Sequence, residues 1–377
     1  MITELFLHDP VLFSLMALFA LTVLVQLIYY WVFYSAVAFS GQSRVHENAE
    51  GVSVVICAKD EYHNLQRNLP HILEQQYPNF EVVVVNDKSN DESELLLESL
   101  ARQYDHLQIV HVNSNLNFFK GKKFPQSVGI RSARYENILF TDANCRPASA
   151  YWIRRMMSVF TKETNVVLGY HALEKGQGLL NTLIRYDHLT NAVRYLSFAG
   201  RGIPFNGSIK NILFRKELFY KQNSFIGLYN MRAGDDEKFI NKAVGRKGTK
   251  VQLHPESHII TFPKQRYRTW VNIKKRQKAG THFFRFPHKL LLGLFVGSQY
   301  LFFGLFAALM ITQYMVLIAG GLFLLREISH LIVFKNSMKR LKEQKLLLFS
   351  LIGEIYILLI SPYLWLGGRT TKTGKWR

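Results

Sequence analysis

Two apolar blocks limit what this chain can fold into. Residues 11–39 are apolar and aromatic with no Lys or Arg, and residues 290–366 are strongly apolar again. Between them, 44–289 reads as an ordinary mixed soluble sequence. A helix crossing a bilayer takes about 20 predominantly apolar residues, so 11–39 is long enough to span; a buried core helix is the alternative. A cleaved signal peptide would carry a basic start and a shorter apolar core. Here Glu4 and Asp9 come first, and Arg44, after the run, is the first Lys or Arg. The positive-inside bias predicts an N-terminus outside and a following domain in the cytosol. In the second block, 290–312 and 313–334 read as a tight helical hairpin, 335–345 as a basic cytosolic loop, and 346–366 as a further apolar segment before the basic tail 367–377. Counting spans puts that tail outside, whereas its charge prefers the inside. One segment is therefore expected to be re-entrant or interfacial, and Gly353, Glu354 and Pro362 single out the last.

The middle of the chain alternates. Residues 51–58 form an apolar run of strand length followed by Lys59-Asp60-Glu61. Leu65, Leu69, Ile72 and Leu73 give helical spacing over 64–76, and Tyr77-Pro78-Asn79 stops it. The buried strand 80–85 ends at Asn86-Asp87-Lys88-Ser89, 91–101 is helical, 107–112 is a third strand and 123–134 another helix. The stretch E-N-I-L-F-T-D-A-N-C (136–145) is a fourth strand ending in Asp142-Ala143-Asn144. Such alternation predicts an α/β fold, a mostly parallel sheet with helices on both faces. Open sheets of this kind bind ligands outside the carboxyl ends of their strands. Asp142 and Asn144, one residue apart, project to the same side and could grip one hard cation through oxygen; an Asx turn closing the strand is the plain alternative.

Other classes fall away. There is no G-x-G-x-x-G after the first strand and no G-x-x-x-x-G-K-[ST], which argues against dinucleotide oxidoreductases and P-loop nucleotidases. Acidic residues after strands one, two and four suggest instead a nucleotide gripped by carboxylates and a metal. The net charge of +20, from 47 Lys+Arg against 27 Asp+Glu, fits phosphate-bearing substrates, an anionic membrane surface or nucleic acid. Cys57 and Cys145 are the only cysteines, so no disulfide framework is visible and reduced thiols facing the cytosol fit better.

Several blocks in order together resemble a family 2 glycosyltransferase over about residues 50–285: S-V-V-I-C-A-K-D-E-Y-H-N-L, Q-Q-Y-P-N-F-E-V-V-V-V-N-D-K-S-N-D, G-K-K-F-P-Q-S-V-G-I, T-D-A-N-C, N-G-S-I-K-N-I-L-F-R-K-E-L-F and G-D-D-E-K-F-I-N-K-A. The resemblance implies a GT-A fold, a nucleotide-diphosphate sugar donor and inversion at the anomeric carbon. By it, Asp87 contacts the nucleoside, Ala58, Asp60 and Glu61 lie in the loop beside base and ribose, and Lys123 (or Lys122) stands near the nucleotide. Asp142, with Asn144 where the family more often has a second Asp, ligates Mg2+ or Mn2+ on the diphosphate. Asp236 is the catalytic base with Asp235 as its neighbour. Each has a structural alternative: turn or cap roles for Asp87 and the Asp235-Asp236 pair, a first-turn helix carboxylate for Glu61, a solvated surface lysine for Lys123.

Residues 264–289 hold nine Lys and Arg and no acid, interleaved with Tyr267, Trp270, Phe283, Phe284 and Phe286. Processive family members carry Q-x-x-R-W here; Gln277-Lys278-Ala279-Gly280-Thr281 keeps only the Gln, which puts polymer synthesis in doubt. An interfacial helix on anionic headgroups is one reading, and weak contact of Arg276, Gln277 or Lys278 with acceptor or diphosphate is compatible with it. Glu327, His330 and Glu354 either line an acceptor path or pair near span ends. The expected architecture is an anchor over 1–45, a GT-A catalytic domain over 46–262, a basic interfacial region over 263–289, transmembrane segments over 290–366 and a basic tail. Its expected partners are a UDP- or GDP-sugar, a lipid or glycan acceptor and the membrane, at the cytosolic face of a bacterial inner membrane in cell-envelope glycan synthesis. Nucleic acid is not among them, because a patch lying against a membrane is not free to bind it; nothing in the sequence bears on oligomeric state. A processive polysaccharide synthase and an inactive nucleotide-sugar-binding scaffold are the alternatives. Few intramembrane charges and no internal repeat argue against a transporter.

Overall fold

The structure, a computed structural model, describes residues 9–41, 48–112, 122–221, 241, 244–245, 248–263 and 266–370. Contacts group it into two units, one within Met1–Ser40 and Arg285–Pro362 and the other within Gly41–Phe284 and Tyr363–Arg377. Helix α1 (Pro10–Ala38) opens the first. Asp9 caps it by accepting the Leu12 amide at 3.0 Å, and Pro10 sits in the first turn, where its missing N–H has no intrahelical partner to lose.

The second unit is built on β1 (Val52–Ala58), α2 (Tyr62–Leu73), β2 (Phe80–Asn86), α3 (Ser93–Ala101), β3 (Leu107–His111), α4 (Lys123–Ser132) and β4 (Asn137–Asp142). Every residue of β1 is buried, the reason its sequence is a continuous apolar run rather than an alternating one. There follow β5 (Cys145–Pro147), α5 (Trp152–Met157), β6 (Val166–Gly169), β7 (His171–Leu173), α6 (Leu179–Gly200), β8 (Ile212–Arg215), α7 (Lys216–Lys221), β9 (Thr249–Gln252), β10 (Ile259–Thr261) and α8 (Tyr267–Gly280). The large sheet runs β3-β2-β1-β4-β8-β6-β9, and a small one β5-β10-β7. The β3, β2, β1 and β4 strands are parallel, β8 is antiparallel to both neighbours, and β9 is parallel to β6.

This order decides where a ligand can sit. The chain leaves β1 toward β2 and β3, then returns to lay β4 on the other side of β1, so the switch point lies between β1 and β4. Register aligns the ends: Cys57 is opposite Asp142 and Ala58 opposite Asn86. Helix α4 lies on the sheet at Gly129, where a Cβ would stand 2.6 Å from a Val55 methyl and 2.8 Å from a Val85 methyl. Only glycine permits that approach, and it brings the start of α4 to the crevice.

The first unit continues with α9 (Phe286–Ile311), α10 (Val316–Arg340) and α11 (Leu347–Thr370). With α1 these make four helices long and apolar enough to cross a membrane. The expected hairpin is α9–α10, turned by Gln313 and Met315 at φ 53° and 47°. The basic stretch 335–345 is not a loop throughout: α10 runs on to Arg340, since 335–340 contains no Gly or Pro, and the chain turns at Lys342 with φ 57°. Helix α11 is continuous through Gly353 and Pro362. Pro362 has no N–H for the Leu358 carbonyl, and the Tyr300 hydroxyl donates to that oxygen at 2.5 Å instead. Phe19, Val23, Phe302, Leu309 and Ala319 form the apolar contact among α1, α9 and α10.

Candidate active site

The loops after β1 and β2 are laced together by their polar residues. Asp60 sits at φ 53°; its amide donates to Ser89 Oγ at 3.0 Å and its carboxylate accepts the Asn90 amide at 2.7 Å. Asp91 accepts the amides of Tyr62 and Ser93, both at 3.0 Å. Glu61 occupies the cap position of α2 without capping it, and its carboxylate is taken by the Asn64 amide. Asp60 and Glu61 thus brace the loop that passes Ala58. The Asp87 amide donates to the Ala58 carbonyl at 2.9 Å, which extends the β1–β2 pairing by one residue. Partial burial raises the Asp87 carboxyl pKa, and Lys59 and Lys88 work against that rise. Ala58, Asp87 and Asp142 therefore share one edge of the sheet, on adjacent strands about 4.8 Å apart.

Asp142 is the last residue of β4, and Asn144 lies in the two-residue turn to β5. The Asn68 side chain on α2 donates to the Ala143 carbonyl between them at 2.9 Å. Lys122 Nζ donates to Asp142 Oδ1 at 2.8 Å. Lys210 Nζ stands 3.6 Å from Asp142 Oδ2 and 3.1 Å from Asn144 Oδ1. Burial opposes ionisation of Asp142, but the two ammonium groups outweigh it and hold its pKa down to about 2. Two side-chain oxygens converging on one ammonium suit a hard cation, and they leave its remaining ligands to come from elsewhere.

Lys123, expected beside the nucleotide, is buried at the first position of α4, so it is not a solvated surface lysine. Its neighbour Lys122 is the one that reaches Asp142. Lys210 was not foreseen. It rides on the turn Ile209–Asn211, which the fully buried Asn211 clamps by accepting from Trp152 Nε1 at 3.0 Å and donating to the carbonyls of Tyr170 and Ser257 at 2.8 and 2.9 Å. The sequence signal was there in N-G-S-I-K-N, a polar turn closed by a strand. Asp235 and Asp236 lie outside the described residues.

The basic helix α8 also differs from expectation. Trp270 and Phe284 are buried rather than interfacial anchors. Trp270 Nε1 donates to Asp187 Oδ2 at 3.1 Å, and Lys274 Nζ pairs with Asp187 Oδ1 at 2.9 Å, so an acid on α6 holds the inward face of α8. Arg276 and Gln277 are exposed, and Lys278 is partly covered. Burial, then Lys274 and Arg194, push the Lys278 pKa down to about 8 against the pull of Asp187. The charged neighbours of these α8 lysines are on α6, not at Asp142. Among the ionisable residues of the apolar helices, Glu327, His330 and Glu354 pair as one expectation had it, around an arginine the sequence reading passed over. The fully buried Arg326 meets Glu354 through both terminal nitrogens, Glu327 at 2.6 Å and Gln26 at 2.6 Å, with His330 Nδ1 3.3 Å from Glu354.

A mostly parallel sheet with acidic strand ends at its switch point, flanked by helices, is the GT-A fold. Residues 53–221 match the model of glycosyl transferase family 2, and the chain carries a domain of that glycosyltransferase family. It is 22% identical over 198 residues to a protein of Haemophilus influenzae described as an uncharacterized glycosyltransferase, covering 51% of this chain and 60% of that one. It is 27% identical over 99 residues to a poly-beta-1,6-N-acetyl-D-glucosamine synthase of Staphylococcus epidermidis, covering 26% of this chain and 23% of the synthase. The chain thus spans less than two thirds of the length of either relative. In structure it is similar to a mannosyltransferase from Pyrobaculum calidifontis solved with GDP-Man and Mn2+, at a TM-score of 0.55 and 18% identity over 92% of this chain and 98% of the other. That likeness bears on the fold.

Proposed function

We propose that the protein is an inverting glycosyltransferase that moves a sugar from a UDP- or GDP-linked donor to a hydroxyl of a membrane-presented lipid or lipid-linked acceptor. The observation that carries this reading is the buried Asp142 at the switch point, flanked by Lys122, Lys210 and Asn144 within the family-matched residues. Asp142 and Asn144 would hold Mg2+ or Mn2+, which supplies Lewis-acid stabilisation of the departing diphosphate. Lys122 and Lys210 offset the charge that grows on the same leaving group. Asp87, at the end of β2, holds the nucleoside, and Ala58 supplies backbone beside it. Asp236, with Asp235, takes the acceptor hydroxyl proton as the oxygen bonds to the anomeric carbon and the diphosphate leaves with the bonding pair. The four apolar helices support an acceptor met at the membrane; the first Lys or Arg, Arg44, follows the first span, and that charge bias supports a GT-A domain on the cytosolic side.

The test is release of nucleoside diphosphate from a panel of nucleotide sugars by purified protein with Mn2+ or Mg2+. Release with a single base and sugar, lost in Asp142→Ala and after chelation, is expected. Silence with every donor would leave the scaffold reading in its place. The similarity to a polysaccharide synthase supports a second reading, processive synthesis; long products from one enzyme encounter would select it over single transfer.

A further inference from the structure

The seat assigned above to a divalent ion already holds a positive charge from the chain itself. We propose that Lys210 is a resident counter-cation there: it excludes a bare divalent ion and yields only to a metal arriving together with the donor's diphosphate. This rests on the reading of Asp142 and Asn144 as the metal-diphosphate seat.

The geometry supplies the argument. A metal ligated by Asp142 Oδ2 and Asn144 Oδ1 would lie about 2.0–2.2 Å from each oxygen, between the same two atoms that Lys210 Nζ now approaches at 3.6 and 3.1 Å. An ammonium and a dication cannot share that space. Lys122 stays on the other carboxylate oxygen at 2.8 Å, so the single Asp142 carboxylate already answers two ammonium groups. A bare dication would add positive charge beside both of them in a pocket low in solvent, where Coulomb repulsion is weakly screened. A metal bound to a sugar diphosphate brings two negative charges that cancel its own two. The complex enters neutral, and Lys210, displaced from the carboxylate, finds phosphate oxygens to pair with.

Lys210 is placed for this task rather than drifting at a surface. Asn211, the next residue, is completely buried and hydrogen-bonded on three sides, and Gly169 leaves room for it: a Cβ there would stand 2.4 Å from the Asn211 amide. The turn is therefore rigid while the lysine stem, about a quarter exposed, keeps freedom to swing. The seat itself is oriented from behind: the Cys145 thiol donates to Asn144 Oδ1 at 3.5 Å and lies 3.4 Å from Thr261 Oγ1, which in turn meets His171 Nε2 at 2.7 Å. The amide of Asn144 is thus held with its oxygen toward the cation.

The experiment follows uptake of Mn2+ by full-length protein in detergent, with and without UDP or GDP, read as the loss of the free-ion electron paramagnetic resonance signal beyond that of a protein-free control holding the same nucleotide. Wild type, Lys210→Met, Lys210→Gln and Lys210→Arg are compared, with thermal melting to establish that each is folded. Wild type is expected to take up Mn2+ only with a nucleoside diphosphate. The Met and Gln variants should bind Mn2+ alone at least about tenfold more tightly than wild type, and the Arg variant, which keeps the charge, should behave as wild type. Equal Mn2+ affinity of wild type with and without nucleotide would overturn the proposal. So would unchanged bare-metal binding in the neutral variants while nucleotide still recruits Mn2+. If neither nucleotide brings Mn2+ to wild type, the metal-diphosphate reading of the seat is itself wrong.

Discussion

Replacing Asp142 by Asn tests the electrostatics of the site without reference to any substrate. The carboxyl goes from 3.8 to about 2 on folding. A tenfold change in a proton's affinity is worth 1.36 kcal/mol, so this lowering corresponds to about 2 kcal/mol of stability at neutral pH. A carboxyl lowered on folding contributes stability that is fully present above its unfolded value and is lost as pH falls through its folded value. The contribution should therefore hold down to about pH 4, fall to roughly half at pH 3, and vanish below pH 2. The Asn variant lacks this pH-dependent part altogether. It also leaves Lys122 and Lys210 facing each other, as protonated Asp142 does in the wild type, so their repulsion does not alter the pH-dependent part. For a domain of this size about 2 kcal/mol lowers Tm by roughly 4–8 °C.

The assay is thermal melting of wild type and Asp142→Asn in the same detergent between pH 7 and pH 3. The gap in Tm should be widest at neutral pH and close to half that at pH 3. A gap constant across the range would mean that lost packing or hydrogen bonding, not the carboxylate charge, sets the effect. A more stable Asn variant at pH 7 would mean that burial outweighs the two lysines and that the low pKa is wrong.

Three other outcomes follow from the same physical reasoning. Asp236→Asn should abolish sugar transfer while calorimetric binding of the nucleoside diphosphate survives; loss of both together would remove Asp236 from the base role. Asp187→Ala leaves the buried ammonium of Lys274 uncompensated beside Lys278, and should cost about 3–5 kcal/mol in denaturant unfolding; adding Lys274→Met should recover most of that loss, and no recovery would deny the pair its part in holding α8 on α6. Arg326→Met strands Glu354 and Glu327 inside the apolar helices, with a similar cost of about 3–5 kcal/mol, read as lost monodisperse protein on gel filtration; a variant indistinguishable from wild type would show that water or protons already compensate those acids.

The elements that sequence made legible are those whose burial is complete on both faces. β1 and β2 read as strands because continuous Val and Ile runs have no other fate in a sheet with helices on both sides. The strand-end acids were legible for a related reason: a polar residue directly after such a run must sit at the edge where the sheet opens. What sequence concealed depends on side-chain reach across long separations. Lys122 and Lys123 are adjacent and chemically identical, and only the helix start decides that one turns to Asp142 and the other inward. Lys210 is 66 residues from Asn144. Trp270 looked like an interfacial anchor because its neighbours are basic, while the acid that captures it, Asp187, lies 83 residues away in a helix whose pattern carries no warning. The basic stretch 335–345 reads as a loop from charge alone, although charge ends a helix only when a breaker accompanies it.

Two buried charge clusters among the described residues, at Arg326 and at Asp142, separate by what surrounds them. Arg326 is fully enclosed, with Gln26, Gln299, Glu327, Glu354 and His330 around it from four helices. Its guanidinium already spends its donors on fixed protein acceptors, and a ligand entering there would have to break charge-assisted hydrogen bonds and gain no solvent route in return. Asp142 is less completely buried, with 13% of its side chain exposed against none of Arg326, and its partners are two lysine stems that both keep solvent exposure, with its second oxygen 3.6 Å from Lys210. Those ammonium groups can leave for water, or for a phosphate, at low cost. Burial of a charge does not by itself mark a functional site; burial with exchangeable partners does. By that criterion the sheet edge at Asp142 is where we propose that the chemistry takes place, and the Arg326 cluster is what fixes the apolar helices to one another.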